Sequence, residues 1–384
     1  MTTAEGSGPK IVLTGGGTGG HVYPALAVAG AVRKLAPQSE ILYIGGDRVE
    51  ARAAPAAGLP FRAISVHGLA GSVSLGQRLR SLAELAVGLP LVQSLRILRG
   101  FGANVVLGTG GYVSGPVLLG ARLAGVPSAA LDGNRVPGHT SKIVSRLVDV
   151  MAVAHPEMER FFAARVRRGA RVEMTGLPVR PEIVATSREE GASALGLDSS
   201  LRTVLVFGGS LGSRRMNEAL TGALQGLADK DWAGDIQVLH VTGRRFSVPE
   251  QESKGLAVRY RAVPYLEERY ASALAAADLV ISRAGAGTVA EVTARGLPAV
   301  LSPWSEASTG EQAFNAEPLR QAGAAVVIPD AELTPERLAE VLIELLSDPA
   351  RLKRMADASK RLGRPGAAER VAELVLELAA RGRG

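Results

Sequence analysis

A histidine that follows a glycine-rich loop is the residue in this sequence best placed for acid–base chemistry. Residues 11–21 read IVLTGGGTGGH, and an Ala/Leu/Val-rich stretch follows Pro24. The apolar run is typical of a buried parallel strand, the glycines of a tight turn, and the later stretch of a helix packed on the sheet. The imidazole of histidine, with an ordinary pKa of about 6.5, suits proton abstraction at neutral pH. We therefore predict that His21 is a general base at the carboxyl edge of a parallel sheet.

The glycine loop itself predicts a ligand that is anionic or carries a polarised oxygen. Glycines allow a ligand or a second backbone to come close, and a helix N-terminus presents N–H groups. Gly15, Gly17 and Gly20 also satisfy the G-x-G-x-x-G dinucleotide spacing. That fingerprint needs an acidic residue about 20 positions later, for which Glu40 and Asp47 are the candidates. A nicotinamide-dependent dehydrogenase, or a turn that only packs strand on helix, is therefore an alternative interpretation.

Length and composition favour two domains and exclude several classes of protein. The chain has 384 residues, of which 46% are hydrophobic, and it has no cysteine. A chain of this length exceeds what one core usually supports. The absence of cysteine excludes a disulfide framework and thiolate metal sites, and is compatible with a reducing cytoplasm. Residues 1–9 lack a signal pattern and no apolar run is long enough to span a bilayer, so we expect a soluble or peripheral protein.

The net charge of +7 is distributed unevenly along the chain. Residues 1–180 carry 20 Lys and Arg against 10 Asp and Glu, whereas residues 181–384 carry 24 against 27. The basic excess therefore belongs to the first half. Such asymmetry predicts an anionic partner for that half, for example nucleic acid, a phosphorylated substrate or anionic lipid.

The first half alternates short apolar strands with helical patterns. The predicted strands are Lys10–Thr14, Ile41–Ile44, Phe61–Val66, Val105–Leu107, Ser128–Leu131, Val150–Ala154 and Arg171–Met174. This alternation is typical of a doubly wound parallel sheet. Two prolines bracket a short extended segment at 176–181, and we place the domain boundary there.

The second half begins the same pattern again. A strand is predicted at 203–207, a second glycine loop at 208–213 and a helix over 216–228. Further strands are predicted at Ile236–Val241, Val258–Val263, Leu279–Ser282, Ala299–Leu301 and Ala325–Ile328, and helices at Pro335–Leu346, Pro349–Arg361 and Gly366–Arg381. The fold class implied is α/β, with two Rossmann-like doubly wound parallel-sheet domains facing a central cleft. We expect the last helix, within 366–384, to pack back on the first domain.

Five motifs, taken in order, are far more specific than the first glycine loop alone. They read GGGTGGHVYP at 15–24, GGYVSGP at 110–116, GGSLGS at 208–213, SRAGAGTVAE at 282–291 and QAFNA at 312–316. In type and order they resemble the motifs of the MurG family of bacterial peptidoglycan glycosyltransferases, over nearly the whole chain. The resemblance implies a GT-B fold, with residues 1–179 on the acceptor and membrane side and residues 180–365 binding a UDP-sugar donor.

The resemblance also implies a reaction and its partners. Family members transfer N-acetylglucosamine, with inversion, from UDP-GlcNAc to the 4-hydroxyl of the muramic acid in lipid I, which is undecaprenyl-pyrophosphoryl-MurNAc-pentapeptide. The product is lipid II, used for peptidoglycan synthesis. No cofactor and no metal is implied. The implied partners are UDP-GlcNAc, lipid I and the anionic inner-membrane surface, with the enzyme peripheral on the cytoplasmic side of the cell membrane.

Donor-binding and acceptor-binding residues follow from the same match. Ser210, Leu211 and Gly212 are expected to cap a helix whose N–H groups bind phosphate, and the guanidinium of Arg180 can pair with phosphate oxygens. Glu291 matches a position whose carboxylate accepts from both ribose hydroxyls, the alternative being an acid that complements a helix dipole. The other implied donor contacts are Thr18, Gly19, Asn134, Leu266, Ala286, Gly287, Thr288, Gln312 and Asn315. The implied acceptor contacts are Gly17, Gly20, Tyr112 and Ser114.

One segment departs from the family pattern. Where the family usually has His-Glu-Gln-Asn, this chain has Leu131-Asp132-Gly133-Asn134. The acid is retained but is one methylene shorter, which affects its reach and bears on the choice of acceptor. Asp132 is accordingly the second catalytic candidate, either orienting His21 or serving as the base itself.

A leucine stripe in the first half has two interpretations. Along 75–99, leucines fall on one helical face beside basic residues, and the candidate membrane residues are Leu75, Arg78, Leu79, Arg80, Leu82 and Leu85. This pattern is typical of an interfacial helix on anionic lipid. It is equally typical of a helix that covers a sheet.

Four other function classes compete with a MurG-like transferase. A dehydrogenase leaves the second glycine loop and the Glu291 helix unexplained. Another GT-B enzyme, such as an antibiotic glycosyltransferase or a UDP-sugar epimerase, would keep the donor half and change the acceptor half. A non-catalytic nucleotide-sugar sensor would not need His21. Nucleic-acid binding is disfavoured by the 4% aromatic content and the absence of a recognisable motif.

Overall fold

The computed structural model describes residues 8–66, 88–227, 229–246, 251–252, 258–305 and 310–381. The chain divides into two compact units. The first comprises Met1–Arg180 together with Gly366–Gly384, and the second comprises Pro181–Pro365. Arg180, which the sequence analysis assigns to the second domain, thus belongs to the first unit.

Within the described ranges, the first unit contains seven strands in one parallel sheet. They are β1 (Lys10–Thr14), β2 (Glu40–Gly45), β3 (Phe61–Ala63), β4 (Val105–Gly108), β5 (Ser128–Asp132), β6 (Val150–Val153) and β7 (Arg171–Met174). Their order across the sheet is β3-β2-β1-β4-β5-β6-β7. The third strand is shorter than predicted, because it ends at Ala63. The order reverses between β1 and β4, so this sheet has the Rossmann arrangement with its switch point there.

Helices connect these strands on both faces of the sheet. They are α1 (Gly19–Leu35), α2 (Glu50–Ala56), α3 (Leu89–Phe101), α4 (Ser114–Leu123), α5 (His139–Val144) and α6 (Pro156–Ala163). Helix α1 buries Val22, Ala25, Val28 and Val32, spaced three or four residues apart, which is the period of one helical face. That face therefore packs in the core rather than facing solvent.

The second unit repeats the arrangement. The described strands are β8 (Arg202–Phe207), β9 (Ile236–Val241), β10 (Gln251–Glu252), β11 (Arg259–Val263), β12 (Leu279–Ser282), β13 (Ala299–Leu301) and β14 (Ala325–Val327). Their order is β10-β11-β9-β8-β12-β13-β14, and every pairing except that of β10 with β11 is parallel. The short antiparallel edge strand β10 is not predicted from the sequence, whereas the two doubly wound sheets are.

Two long helices close the second unit, after which the chain returns to the first unit. The described helices of the second unit, in chain order, are α7 (Pro181–Ala185), α8 (Arg188–Leu195), α9 (Arg214–Gln225), α10 (Tyr270–Ala276), α11 (Ala286–Arg295), α12 (Glu311–Gln321), α13 (Pro335–Leu346) and α14 (Pro349–Leu362). The last helix is α15 (Ala367–Arg381). Its buried residues Val371, Val375 and Leu378 share one apolar cluster with Val28 of α1.

None of the helices in the described parts of the chain combines the length and the apolarity that crossing a bilayer requires.

Candidate active site

Two loops of the first unit meet at the switch point of its sheet. Residues 15–18 follow β1 and residues 109–113 follow β4, and these strands are neighbours. The backbone N–H of Gly16 donates to the Gly110 carbonyl at 3.3 Å, which joins the two loops. Parallel α/β sheets bind ligands where such loops diverge at the carboxyl ends of the strands.

His21 lies in the first turn of α1, and its hydrogen bond identifies its tautomer. Nδ1 lies 3.1 Å from the Gly16 carbonyl oxygen and 3.4 Å from Oγ1 of Thr18. A carbonyl oxygen only accepts, so Nδ1 carries the proton and donates it. The lone pair is therefore on Nε2, which is the arrangement a general base needs.

Burial determines the charge of this imidazole. It lowers the pKa of His21 below its ordinary value, while the Gly16 hydrogen bond and the charges of Asp132 and Glu50 act in the opposite direction. A lowered pKa keeps His21 neutral at pH 7. The base form is thus the resting form.

Gly110 and Gly111 let the second loop lie directly against His21. Their φ angles are 106° and 79°, in the region that favours glycine. A Cβ on Gly110 would lie 2.8 Å from Cδ2 of His21, and a Cβ on Gly111 would lie 2.2 Å from the Gly16 oxygen. A larger residue at either position would displace the imidazole or the loop that holds it.

The hydroxyls of Thr109 and Ser114 hold these loops in place through hydrogen bonds to their backbone. The Thr109 hydroxyl donates to the His21 carbonyl at 2.7 Å, and the buried Ser114 hydroxyl donates to the Gly110 carbonyl at 2.8 Å. Ser114 also accepts from the Gly110 N–H at 3.2 Å. Both hydroxyls are occupied by backbone, so in this structure they shape the loop. Thr109 is not predicted from the sequence, since nothing in its neighbourhood marks it as a contact of His21.

Asp132 ends β5, two strands from β1, and is 3% exposed. Its Oδ1 accepts from the Asn134 N–H at 3.0 Å. Burial raises the pKa of Asp132, and the Asn134 hydrogen bond and the proximity of His21 counteract this effect. The acceptor for Nδ1 of His21 is the Gly16 carbonyl rather than the Asp132 carboxylate. Asp132 acts on His21 through its charge.

A buried acid that is not predicted from the sequence lies on the other side of the glycine loop. Glu50 is fully buried, and its carboxylate accepts from the Gly17 N–H at 3.0 Å and from the Gly46 N–H at 3.1 Å. The buried Tyr43 hydroxyl donates to the Gly15 carbonyl at 2.8 Å. Three successive glycines of the loop are therefore held by side chains or backbone from β2, α2 and the β4 loop.

The other predicted residues of the first unit surround this loop. The ring of Tyr112 covers Gly17, where a Cβ would lie 3.0 Å from Cε1. Gly19 and Gly20 are in the first turn of α1, where N–H groups have no partner within the helix. The guanidinium of Arg180 stacks 4.7 Å above the ring of Tyr23.

The second unit has an equivalent pair of loops, after β8 and after β12, at its own switch point. Here the structure corrects the predicted helix cap. Helix α9 starts at Arg214, and its N-cap is Ser213, whose hydroxyl accepts from the Met216 N–H at 3.3 Å. Ser210, Leu211 and Gly212 form a turn before the cap, because the Gly212 N–H donates to the Gly209 carbonyl. Ser210 and Leu211 are exposed.

Arg283 joins the two loops and is not predicted from the sequence. Its Nη2 donates to the Ser213 hydroxyl at 2.8 Å, and its Nη1 donates to the Ser302 carbonyl at 3.0 Å and pairs with Asp330. The guanidinium and its carboxylate partner are both largely buried. The arginine follows β12 directly, so it fixes the glycine loop relative to the sheet edge.

Helix α11 presents its N-terminus at the same edge. Gly285 is the N-cap, so Ala286, Gly287 and Thr288 form the first turn, whose N–H groups have no acceptor within the helix. Such a turn is suited to bind an anion. One turn further, Oε2 of Glu291 accepts from the Tyr270 hydroxyl at 2.9 Å.

Gln312 and Asn315 lie on one face of α12 and bind backbone. Oε1 of Gln312 accepts from the N–H groups of Ala284 and Trp304 at 3.2 and 3.0 Å. The amide of Asn315 donates to the Ala284 carbonyl at 3.3 Å. Both side chains therefore hold the loop after β12. Leu266 is buried in the core of the second unit.

The candidate membrane residues Leu75, Arg78, Leu79, Arg80, Leu82 and Leu85 lie outside the described residues.

Comparison with known proteins identifies the family of the chain. Residues 11–153 match the glycosyltransferase family 28 N-terminal domain, and residues 203–371 match the family 28 C-terminal domain. The chain belongs to glycosyltransferase family 28. The two matches include both glycine loops and every described strand except β7.

Individual members of family 28 are similar over nearly the whole chain. The UDP-N-acetylglucosamine–N-acetylmuramyl-(pentapeptide) pyrophosphoryl-undecaprenol N-acetylglucosamine transferase of Halothermothrix orenii is 40% identical, over 96% of this chain and 99% of its own. The protein of the same name from Desulfitobacterium hafniense is 41% identical, over 96% and 99%. The crystal structure of Acinetobacter baumannii MurG is 26% identical, with a TM-score of 0.69 over 96% of this chain and 99% of that one.

These family 28 relatives confirm two predictions. The resemblance to MurG is confirmed by the names and coverage of the relatives. The GT-B fold is confirmed by the two doubly wound units and by the MurG structure.

Proposed function

We propose that this chain transfers N-acetylglucosamine from UDP-GlcNAc to the 4-hydroxyl of the muramic acid in lipid I and so produces lipid II. The named relatives support the substrates. The geometric observation that carries the proposal is the tautomer of His21, whose Nδ1–H is held by the Gly16 carbonyl. Nε2 can therefore accept the proton of an attacking hydroxyl.

In this reaction the oxygen of the 4-hydroxyl bonds to C1 of N-acetylglucosamine as the bond from C1 to the diphosphate oxygen breaks. The hydroxyl proton passes to Nε2 of His21, and the electron pair of the broken bond leaves with UDP. Inversion at C1 follows from attack opposite the leaving group. A positioned base typically contributes a factor of ~10² to 10⁴ in rate.

The second unit is proposed to bind the donor and to stabilise the departing charge. The N-terminal turn of α11, at Ala286–Thr288, and the exposed residues Ser210 and Leu211 offer N–H groups to phosphate oxygens. Gly212, whose own N–H donates to the Gly209 carbonyl, is proposed to contact the donor from the same turn. Glu291 is proposed to accept from the ribose hydroxyls and the backbone at Leu266 to contact uracil, as the family match suggests. Gln312 and Asn315 support the loop on which these contacts depend, and we propose that they also contact the sugar hydroxyls.

Residues of the first unit are proposed as further substrate contacts. Thr18, Gly19 and Asn134 are proposed donor contacts, and Arg180 a partner for phosphate oxygens. Gly17, Gly20 and Tyr112 are proposed acceptor contacts, and Ser114 supports their loop. We place the acceptor role in residues 1–179 and the donor role in the second unit.

The first unit is also proposed to rest on an anionic membrane surface. We define its apolar patch as the exposed residues Leu89, Val92, Leu119, Leu123 and Ile143. They lie on α3, α4 and α5, which pack on one another in succession. Basic side chains lie on or next to the same helices: Arg96, Arg99, Arg122, Lys142 and Arg146. Apolar surface beside basic residues is what binding to anionic lipid requires.

The direct test of the transfer is an assay with radiolabelled UDP-GlcNAc and a short-chain lipid I analogue, without added metal. We expect labelled disaccharide-lipid and an equal amount of UDP. Hydrolysis or binding of UDP-GlcNAc without label in the lipid would contradict the acceptor assignment. It would favour a GT-B enzyme with another acceptor. The segment around Asp132 would then be the first candidate for the residues that determine the acceptor.

A further inference from the structure

A fully buried carboxylate binds the peptide group that holds the candidate base. Oε2 of Glu50 accepts from the Gly17 N–H at 3.0 Å, while the Gly16 carbonyl accepts from Nδ1 of His21 at 3.1 Å. Gly16 C=O and Gly17 N–H are the two ends of one peptide group. In a trans peptide these two groups point in opposite directions, so this peptide lies between the carboxylate and the imidazole.

The three groups thus form one continuous chain of hydrogen bonds. It runs from the Glu50 carboxylate through the Gly16–Gly17 peptide to Nδ1 of His21, and Nε2 is the far end of the imidazole. Hydrogen bonds in series polarise one another, especially away from water. A negative charge at one end therefore increases electron density at the other.

The packing leaves this arrangement little freedom. A Cβ on Gly16 would lie 2.5 Å from Oε1 of Glu50, so the carboxylate is in close contact with the backbone of the loop and leaves no space for a side chain there. Its Oε1 also accepts from the Gly46 N–H at 3.1 Å, which anchors it to the loop after β2. An ionised carboxylate can accept from both N–H groups, whereas a glutamine offers one oxygen and one amino group.

We propose that Glu50 is a positioning residue for His21, which acts through the Gly16–Gly17 peptide to hold the Nδ1–H tautomer and to make Nε2 a stronger base. The inference rests on the proposed function, in which His21 is the base. An uncharged residue of the same size would fill this space without the cost of burying a charge. The charge acts on Tyr43, Tyr112 and His21, and of these only His21 is joined to the carboxylate through the Gly16–Gly17 peptide.

Other titratable groups surround His21 and must be kept constant in any test. Asp132 acts on it from the end of β5. Tyr43 reaches the same loop from β2, and the ring of Tyr112 covers Gly17 from the β4 loop with Arg48 stacked on it. Two further charges belong to the same region: that of Asp47 acts on Tyr112, and Arg180 stacks on Tyr23 of α1.

The test is the titration of His21 in the full-length Glu50→Gln variant, followed by NMR with labelled histidine. The chain has five histidines, and His21→Ala identifies the signal. We expect the titration midpoint of His21 to fall by about half a pH unit in Glu50→Gln, because the neighbouring charge is lost. In the transfer assay kcat should fall about tenfold with an unchanged KM for UDP-GlcNAc. Coinciding midpoints in the variant and the wild type would overturn the proposal, as would an unchanged kcat.

The matched control is Asp149→Asn. Asp149 is also a carboxylate of the first unit that accepts from a backbone N–H, that of Ser128 at 2.8 Å. It also pairs with Arg167, and it lies at the amino end of β6, whereas the His21 loops lie at the carboxyl ends of β1 and β4. The Asp149→Asn variant should leave the titration midpoint of His21 unchanged. If Glu50→Gln does not fold, Glu50→Asp keeps the charge but lies one methylene farther from Gly17. The titration midpoint of His21 in Glu50→Asp should still lie below that of the wild type, and equal midpoints would overturn the proposal.

The titration is independent of turnover, so the two failures can be told apart. A wild type without transfer activity would refute the proposed function, while the midpoints would still show whether Glu50 acts on His21. An active wild type with coinciding midpoints would refute the role of Glu50 alone.

Discussion

At the scale of single residues, the proposal that His21 is the base depends on one hydrogen bond. The position of His21 after a glycine loop can be predicted from the sequence, because strand, loop and helix signals are local. Its tautomer cannot, because it depends on where the Gly16 carbonyl points. Glu50 escapes prediction for a similar reason: in the sequence it is an acid at a helix start, and its partner Gly17 is 33 positions away.

The pH dependence of turnover follows from the lowered pKa of His21. Because the protonated imidazole cannot accept a proton, kcat/KM should rise with pH along a limb with a midpoint below about 6.5 and be constant at neutral pH. A midpoint at or above neutral pH would refute this prediction. The control is Asp132→Asn, which removes a charge that raises the pKa of His21, so its limb should move to lower pH. If Asp132 were the base, the limb would disappear.

At the scale of elements, strands and most helices are predicted well, and loop details are not. Buried parallel strands are short runs of apolar, mostly β-branched residues, which the sequence displays directly. The predicted bounds of α13 coincide with the structure, and those of α14 differ by one residue. The predicted cap of α9, at 210–212, is wrong because two serines, at 210 and 213, precede the helix. The choice of Ser213 depends on the turn that Gly209 and Gly212 make, with φ angles of 90° and 83°.

Ser213→Ala should weaken both helix α9 and the proposed donor site. The hydroxyl caps α9 and accepts from Nη2 of Arg283. We expect a loss of about 0.5–2 kcal/mol in the free energy of unfolding and a roughly fivefold weaker affinity for UDP. Calorimetric UDP titration and thermal unfolding measure the two effects.

The control for this variant is Thr334→Ala. Thr334 caps α13 in the same way, through the Arg337 N–H at 3.2 Å. It should cost a similar free energy and leave UDP affinity unchanged. Equal UDP affinities in Ser213→Ala and the wild type would show that the cap does not support the donor loop.

At the scale of the whole molecule, the two-unit organisation and the returning helix α15 both follow from patterns that span the chain. The restart of the strand–glycine loop–helix pattern near residue 203 predicts a second sheet, and the apolar face of α15 needs a partner. Surface properties are less accessible to sequence analysis. An exposed Leu123 and a buried Leu118 lie on the same helix, and the sequence alone does not distinguish them.

The apolar patch of the first unit makes a testable prediction about membranes. Leu123 and Ile143 are its most exposed members, at 58% and 64%. The double variant Leu123→Gln/Ile143→Gln should bind vesicles containing an anionic phospholipid about tenfold more weakly, because apolar surface is lost from the contact. Co-sedimentation measures the bound fraction, and added salt should reduce it for the wild type.

Val184→Gln is the matched control for vesicle binding. Val184 is an exposed apolar residue of the second unit, at 38%, and its replacement should leave binding unchanged. Equal binding by the double variant and the wild type would refute the proposed membrane surface.

The measurement that tests the central claim most directly is the turnover of His21→Ala in the transfer assay with UDP-GlcNAc and a lipid I analogue. If Nε2 of His21 takes the proton from the attacking hydroxyl, kcat should fall by ~10² to 10⁴, with the affinity for UDP unchanged because His21 is not one of the proposed donor contacts. A kcat within a few-fold of the wild type would contradict the assignment of His21 as the base.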